Sequence, residues 1–181
     1  MTNPIEAWRT EHAYFNRLLK ILHKQVDAFH CGDKPNYDLM LDIISYLRDY
    51  SGHMHHPRED VAFARMARQC PDLKLTLSRL GQEHRIIAQA GESLRKQLDE
   101  ILAGSILPKA EVEVAAATYL VYYGNHIDRE EEEVLPRAAQ VLMPADWEAI
   151  RDAVPHRQDP LFGIDSDEHY RELRRHIALE T

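Results

Sequence analysis

Leu73-Lys74-Leu75-Thr76-Leu77-Ser78-Arg79-Leu80-Gly81-Gln82-Glu83-His84-Arg85-Ile86-Ile87 places Leu73, Leu77, Leu80, His84 and Ile87 at alternating intervals of four and three. That period belongs to one face of an α-helix, whereas a half-buried strand would repeat every second residue. The stripe runs on through Leu94, Leu98 and Leu102, and Gly104 followed by Pro108 closes it. One member is out of character. His84 is an imidazole on an apolar face, and burying a polar group there is costly unless it finds a partner.

Three further blocks have the same period. Upstream, Ile5, Trp8, Phe15, Leu19, Leu22, Val26 and Phe29 form a stripe that stops at Gly32 and Pro35. Leu39, Ile43, Leu47, Tyr50 and Met54 form a second, reaching about Ala67 with Pro71 beyond. Downstream, Val112, Ala116, Tyr119, Tyr123, Val134 and Leu142 form the last, closed by Pro144. Short loops join only antiparallel neighbours, so the expected architecture is an all-α, up-down-up-down four-helix bundle over residues 1–143. Residues 144–181 read as a helical C-terminal extension packed on it: a short helix with Trp147, Ile150 and Val154, a turn at Asp159-Pro160, and a last helix with Tyr170, Leu173 and Ile177.

The 181 residues suffice for a core without staples. With 22 Lys+Arg against 30 Asp+Glu, the net charge of −8 argues against nucleic acid or an anionic membrane as partner. Two cysteines are too few for a disulfide framework or a Cys-rich zinc site. With no membrane-length apolar run or leader pattern, the expectation is a cytoplasmic protein. Self-association as a homodimer stays open.

Histidine is the unusual component, with eleven copies. His12 falls in the N-terminal half of the first block and His84 in that of the third. His55 and Glu59 fall in the C-terminal half of the second, and His126 and Glu130 in that of the fourth. In an up-down-up-down bundle these halves meet at one end, so all six side chains share one cross-sectional layer. Their faces agree too: His12 shares a stripe with Ile5, Trp8, Phe15 and Leu19, and His126 follows Tyr119 and Tyr123. His55 with Glu59, and His126 with Glu130, are i,i+4 pairs on one helix face. Singly, each histidine is better explained as an ordinary core or boundary residue. Two such pairs and two more histidines, inward at one level, are better explained by a metal.

Imidazole and carboxylate without thiolate suit iron, manganese, zinc or copper. Six ligands exceed the needs of one tetrahedral zinc and suit two ions with bridging carboxylates, leaving positions for water, hydroxide or dioxygen. No residues suggest a separate catalytic or organic-cofactor site.

The chain resembles the hemerythrin-like, HHE cation-binding proteins, which are four-helix bundles holding a non-haem di-iron centre. The resemblance rests on Glu11-His12, His55-His56-Pro57-Arg58-Glu59-Asp60, Gln82-Glu83-His84, and His126 through Glu130-Glu131 to Val134-Leu135-Pro136. Asp146-Trp147 and Asp159-Pro160-Leu161-Phe162-Gly163 resemble the tail of bacterial members. It implies His12, His55, Glu59, His84, His126 and Glu130 as metal ligands, with Glu59 and Glu130 bridging. It also implies two irons, carboxylate- and oxo- or hydroxo-bridged, with zinc or manganese as alternatives. The implied role is binding or sensing dioxygen, nitric oxide or peroxide, or buffering iron, rather than catalysis. A di-iron oxidase or peroxidase and a metal-free helical interaction module are the alternatives. One position departs from the oxygen carriers of the family: Ala88 stands where they carry a second histidine one turn after the first. That puts reversible oxygen carriage in doubt.

Around the six, His56 and Asp60 lie about 100° off the ligand face and read as supporting or solvent-facing, as does His53. Glu83 and Glu131 read as solvated or hydrogen-bonded to ligand imidazoles, and Tyr123 as packing. Pro57 is expected to bend its helix. His23, His30, His156, His169 and His176 lie away from the layer.

Overall fold

The computed structural model describes residues 3–155, 157–164 and 167–179; His156 lies outside them. It is 85% helical, and no strand occurs among the described residues, so the chain is an all-α helical bundle. The first rod is α1 (Pro4–Cys31); the Asn3 side chain accepts from the Ile5 amide at 3.1 Å, and Gly32 ends the helix in the left-handed region at φ 87°. The second rod joins α2 (Tyr37–Tyr46), a π-helical segment π1 (Leu47–His55) and α3 (His56–Gln69). The third is α4 (Lys74–Leu102). The fourth joins α5 (Lys109–Arg129), π2 (Glu130–Val134) and α6 (Leu135–Val141). Then come α7 (Pro144–Ala153) and α8 (Arg171–Leu179). No helix among the described residues is long and apolar enough to cross a membrane.

The π segments account for two prolines. An interior proline lacks the amide for the helical ladder, and its ring collides with the carbonyl four residues back. Pro57 and Pro136 each sit in the first turn of an α-helix that directly follows a π segment. The wider turn absorbs the misfit at the proline, and π segments are, with prolines, the usual places where a helix bends.

Two apolar cores fill the bundle. The larger holds Phe15, Leu18, Leu22, Ile43, Met54, Ile87, Leu94 and Tyr123, and receives Leu161, Tyr170, Leu173 and Ile177 from the tail. The smaller holds Ile5, Trp8, Phe63, Met66, Leu77, Leu80, Val134 and Leu135, and receives Ile150 of α7. Between them along every rod stand the buried polar side chains. In α1 and α4 the smaller core precedes the histidine in sequence; in the second and fourth rods it follows.

Candidate metal centre

Apolar neighbours on both sides draw His12, His55, Glu59, His84, His126 and Glu130 into the interior, and all are buried. The structure brings the six together. His12 Nε2 stands 2.9 Å from His55 Nε2, 3.3 Å from Glu59 Oε1 and 3.4 Å from Glu130 Oε2. Glu59 Oε1 is also 2.9 Å from His55 Nε2, while its Oε2 is 3.5 Å from His84 Nε2. Glu130 Oε1 lies 3.2 Å from His126 Nε2 and 3.8 Å from His84 Nε2. Each carboxylate thus faces imidazoles on both sides.

The donor atoms form two groups within metal-binding distance, His12 with His55 and Glu59, and His56 with Glu59, His84 and His126. Glu59 belongs to both. Glu59 Oε2, His84 Nε2, His126 Nε2 and both Glu130 oxygens are buried with no hydrogen bond. Orphaned lone pairs and imidazole nitrogens converging in a dry interior are costly by themselves and suit a shared cation. The residues fit a metal.

The far side of each imidazole is also engaged. His55 Nδ1 is 2.5 Å from Glu11, His84 Nδ1 2.9 Å from Asp60, His126 Nδ1 3.2 Å from Glu83 and His12 Nδ1 2.8 Å from Glu131. Each carboxylate comes from the rod before, so the contacts run first to second, second to third, third to fourth and fourth to first. Such partners fix ring orientation and raise ligand basicity. Arginines hold three of them: Arg58 donates to Glu11 at 2.6 Å, Arg129 to Glu83 at 2.9 Å and Arg9 to Glu131 at 3.2 Å. Tyr50 also donates to Glu11, at 3.1 Å.

Glu83 and Glu131 therefore take the hydrogen-bonding alternative, Asp60 supports His84, and Glu11 is a support the sequence reading missed. The signal for it was adjacency. Each supporting carboxylate neighbours a candidate ligand: Glu11-His12, Glu59-Asp60, Glu83-His84 and Glu130-Glu131. A residue about 100° from an inward ligand points toward the next helix.

His56 is buried rather than solvent-facing, with its ring stacked on His84 at 4.2 Å and its Nε2 3.2 Å from Ser51 Oγ. Tyr123 donates to that same Ser51 oxygen. Beside them lies a cavity of about 100 Å³ lined by Leu47, His56, Ile87, Ala88, Tyr119 and Tyr123 among others. His53 is exposed, and the His23, His30 and His169 side chains are largely so.

Charge follows from this packing. Burial pulls His12 and His84 down, but the carboxylates around them overcome it. Glu131 and Glu59 raise His12 to about 10, and Asp60, Glu130 and Glu59 raise His84 to about 11. His55 and His126 rise for the same reason. Burial pushes Glu11 up, yet His55 and Arg58 bring it to about 2. His56 goes the other way, held well below its ordinary value by burial and the neighbouring His84.

The family model of the Hemerythrin HHE cation binding domain matches residues 3–138. The chain belongs to this family. The match takes in all six inward residues of the HHE domain and all four supporting carboxylates, and with the buried His/Glu cluster it identifies a cation-binding protein. No curated protein and no solved structure matches the chain.

Proposed function

We propose that this HHE domain is a non-haem di-iron protein that binds or senses dioxygen, nitric oxide or peroxide, or buffers iron. The observation that carries the reading is the sharing of Glu59 between two donor groups, with Glu130 facing His12 through one oxygen and His84 and His126 through the other. Two carboxylates so placed suit bridging between two ions, and the nitrogen and oxygen donors suit iron. The alternation of the two cores about the histidines supports the up-down-up-down course that puts these donors at one level. Two free cysteines, Cys31 and Cys70, suit a reducing cytoplasm.

Iron at this site would supply open coordination positions and a redox couple. The chain supplies the rest: carboxylates that fix each ring, and a mainly apolar cavity beside His56 of a size for a small uncharged ligand. Elemental analysis with a visible spectrum in air tests the reading. We expect about two irons per chain and ferric charge-transfer absorption, both lost when His126 and Glu130 are replaced by alanine together. Protein that takes up no metal after anaerobic exposure to ferrous iron would overturn it.

A further inference from the structure

We propose that His56 is a fifth histidine ligand, delivered by the second rod to the ion that His84 and His126 hold. This rests on the two-ion reading and adds a residue that the i,i+4 spacing does not reach.

Three observations carry it. A donor nitrogen of His56 lies within 4.8 Å of donor atoms of Glu59, His84 and His126, and those three are within the same distance of one another. Donors sharing one ion at bonds of about 2.1 Å stand about 3.4 Å apart in a tetrahedral set, so the widest pairs of the quartet must close by up to about 1.4 Å, and the His56 ring, now stacked on His84, must turn toward the ion. Next, His56 is buried beside the cluster at a place where there is room to move. Ala88, one turn after His84 on α4, lines the same cavity of about 100 Å³. Its small side chain leaves the α4 wall without a donor, and His56 faces that space from the opposite rod. Lastly, His84 Nε2 and His126 Nε2 are without hydrogen bonds, so the group that His56 joins has two imidazole donors free for a cation.

The support behind His56 differs from that behind the other four. Their outer nitrogens meet carboxylates, whereas His56 meets the Ser51 hydroxyl, which also accepts from Tyr123. A neutral hydroxyl polarises an imidazole less than a carboxylate does, so His56 is the weakest of the five nitrogen donors and the first to yield to an incoming ligand. The cavity lies on that side.

Ferrous iron titrated anaerobically into wild type, His56→Ala and His56→Phe tests the assignment by stoichiometry and affinity. Phenylalanine keeps a ring to stack on His84 but has no nitrogen. Wild type should bind about two ions. Both variants should keep the first and weaken the second by about 100-fold or more, beyond the roughly 10–100-fold expected of an outer support. In His56→Ala, added imidazole should occupy the emptied space and restore the second ion, while His56→Phe should not respond. Full affinity for the second ion in His56→Phe would make His56 a stacking residue and overturn the proposal. If wild type binds a single ion that His56→Phe weakens, the two-ion reading fails and this assignment stands. A single ion that His56→Phe leaves unchanged overturns both.

Discussion

The two sides of the histidine layer are built from the same residue types and held very differently. On the α1 side, His12 and His55 are backed by Glu131 and Glu11, which Arg9 and Arg58 hold in turn, and Tyr50 adds a second bond to Glu11. On the α4 side, His126 has the comparable pair Glu83 and Arg129. His84, however, leans on Asp60, whose side chain is 53% exposed and meets no arginine or lysine among the described residues, and His56 leans on a hydroxyl. The cavity of about 100 Å³ opens on this looser side. On the proposed two-ion reading, the rigid half would retain its metal and the half with slack would accept a ligand. The asymmetry follows from which charged groups lie behind the rings, since the inner donors alone are nearly symmetric.

The largest effect should come from abolishing the distinction. Glu59 is the one residue common to both donor groups, so Glu59→Ala should lose both ions, whereas His12→Ala should lose only the α1-side ion; metal analysis after gel filtration reads the difference. Retention of one tight ion in Glu59→Ala would break the shared-carboxylate picture. A smaller effect separates the supports. Outer partners are worth roughly 10–100-fold in metal affinity, and Glu11→Gln should fall at the upper end and Asp60→Asn at the lower. Glu11 is clamped and 13% exposed, and Asp60 is neither. Equal losses would mean that the arginine clamps contribute nothing.

Protonation gives a third comparison, between metal-free and metal-loaded protein. His12 and His84 are raised to about 10 and about 11, so their ion pairs stabilise the metal-free fold fully below the ordinary histidine value. That contribution disappears as pH rises through 10 to 11. Glu11, lowered to about 2, contributes fully above its ordinary value of 4.5 and is lost as pH falls through 2. Metal-free stability, followed by thermal unfolding, should therefore decline from neutral pH toward 11. Metal affinity should run the opposite way over the same interval, because an ion must displace the protons held by the four raised histidines. Release of protons on metal uptake at pH 8, followed with a pH indicator in weak buffer, is the direct measurement.

Much of this was readable in the sequence because burial leaves a periodic trace. Leu77, Leu80, His84 and Ile87 place His84 inward whatever lies opposite, and the same holds for His12 between Trp8 and Phe15. The outer carboxylates left no such trace. Glu11 and Glu131 sit off the apolar face, and their partners lie on other rods, so a single-helix wheel places them in solvent. The solvent-facing alternative for His56 fails for a related reason. A helix packed against neighbours on two sides has an inward arc at least 100° wide, so adjacent residues both point inside, His55 toward α1 and His56 toward α4. The π segments were not legible either. Pro57 and Pro136 announce a local misfit, but whether a rod kinks or widens depends on packing along its whole length.

The smallest effect bears on the slack itself. Gly91 lies on α4 against Tyr119, and a Cβ there would stand 2.8 Å from Tyr119 Cε2, too close for the ring to stay in place. Alanine in mid-helix gains about 1 kcal/mol over glycine, whereas overpacking a rigid core costs roughly 1–3 kcal/mol. Tyr119 and Gly91 both line the cavity of about 100 Å³, so the ring has somewhere to go. Gly91→Ala should consequently change stability by less than about 1 kcal/mol, with the gain in helix propensity offsetting the displaced ring. Gly124→Ala, where nothing lies within 4 Å of the new Cβ, gives the reference, a gain of about 0.5–1 kcal/mol in the same denaturant titration. A loss of about 3 kcal/mol in Gly91→Ala would mean the α4 side is packed to the density of an ordinary core, where overpacking carries its full cost. The looseness would then belong to the supports behind His84 and His56 and not to the space beside them.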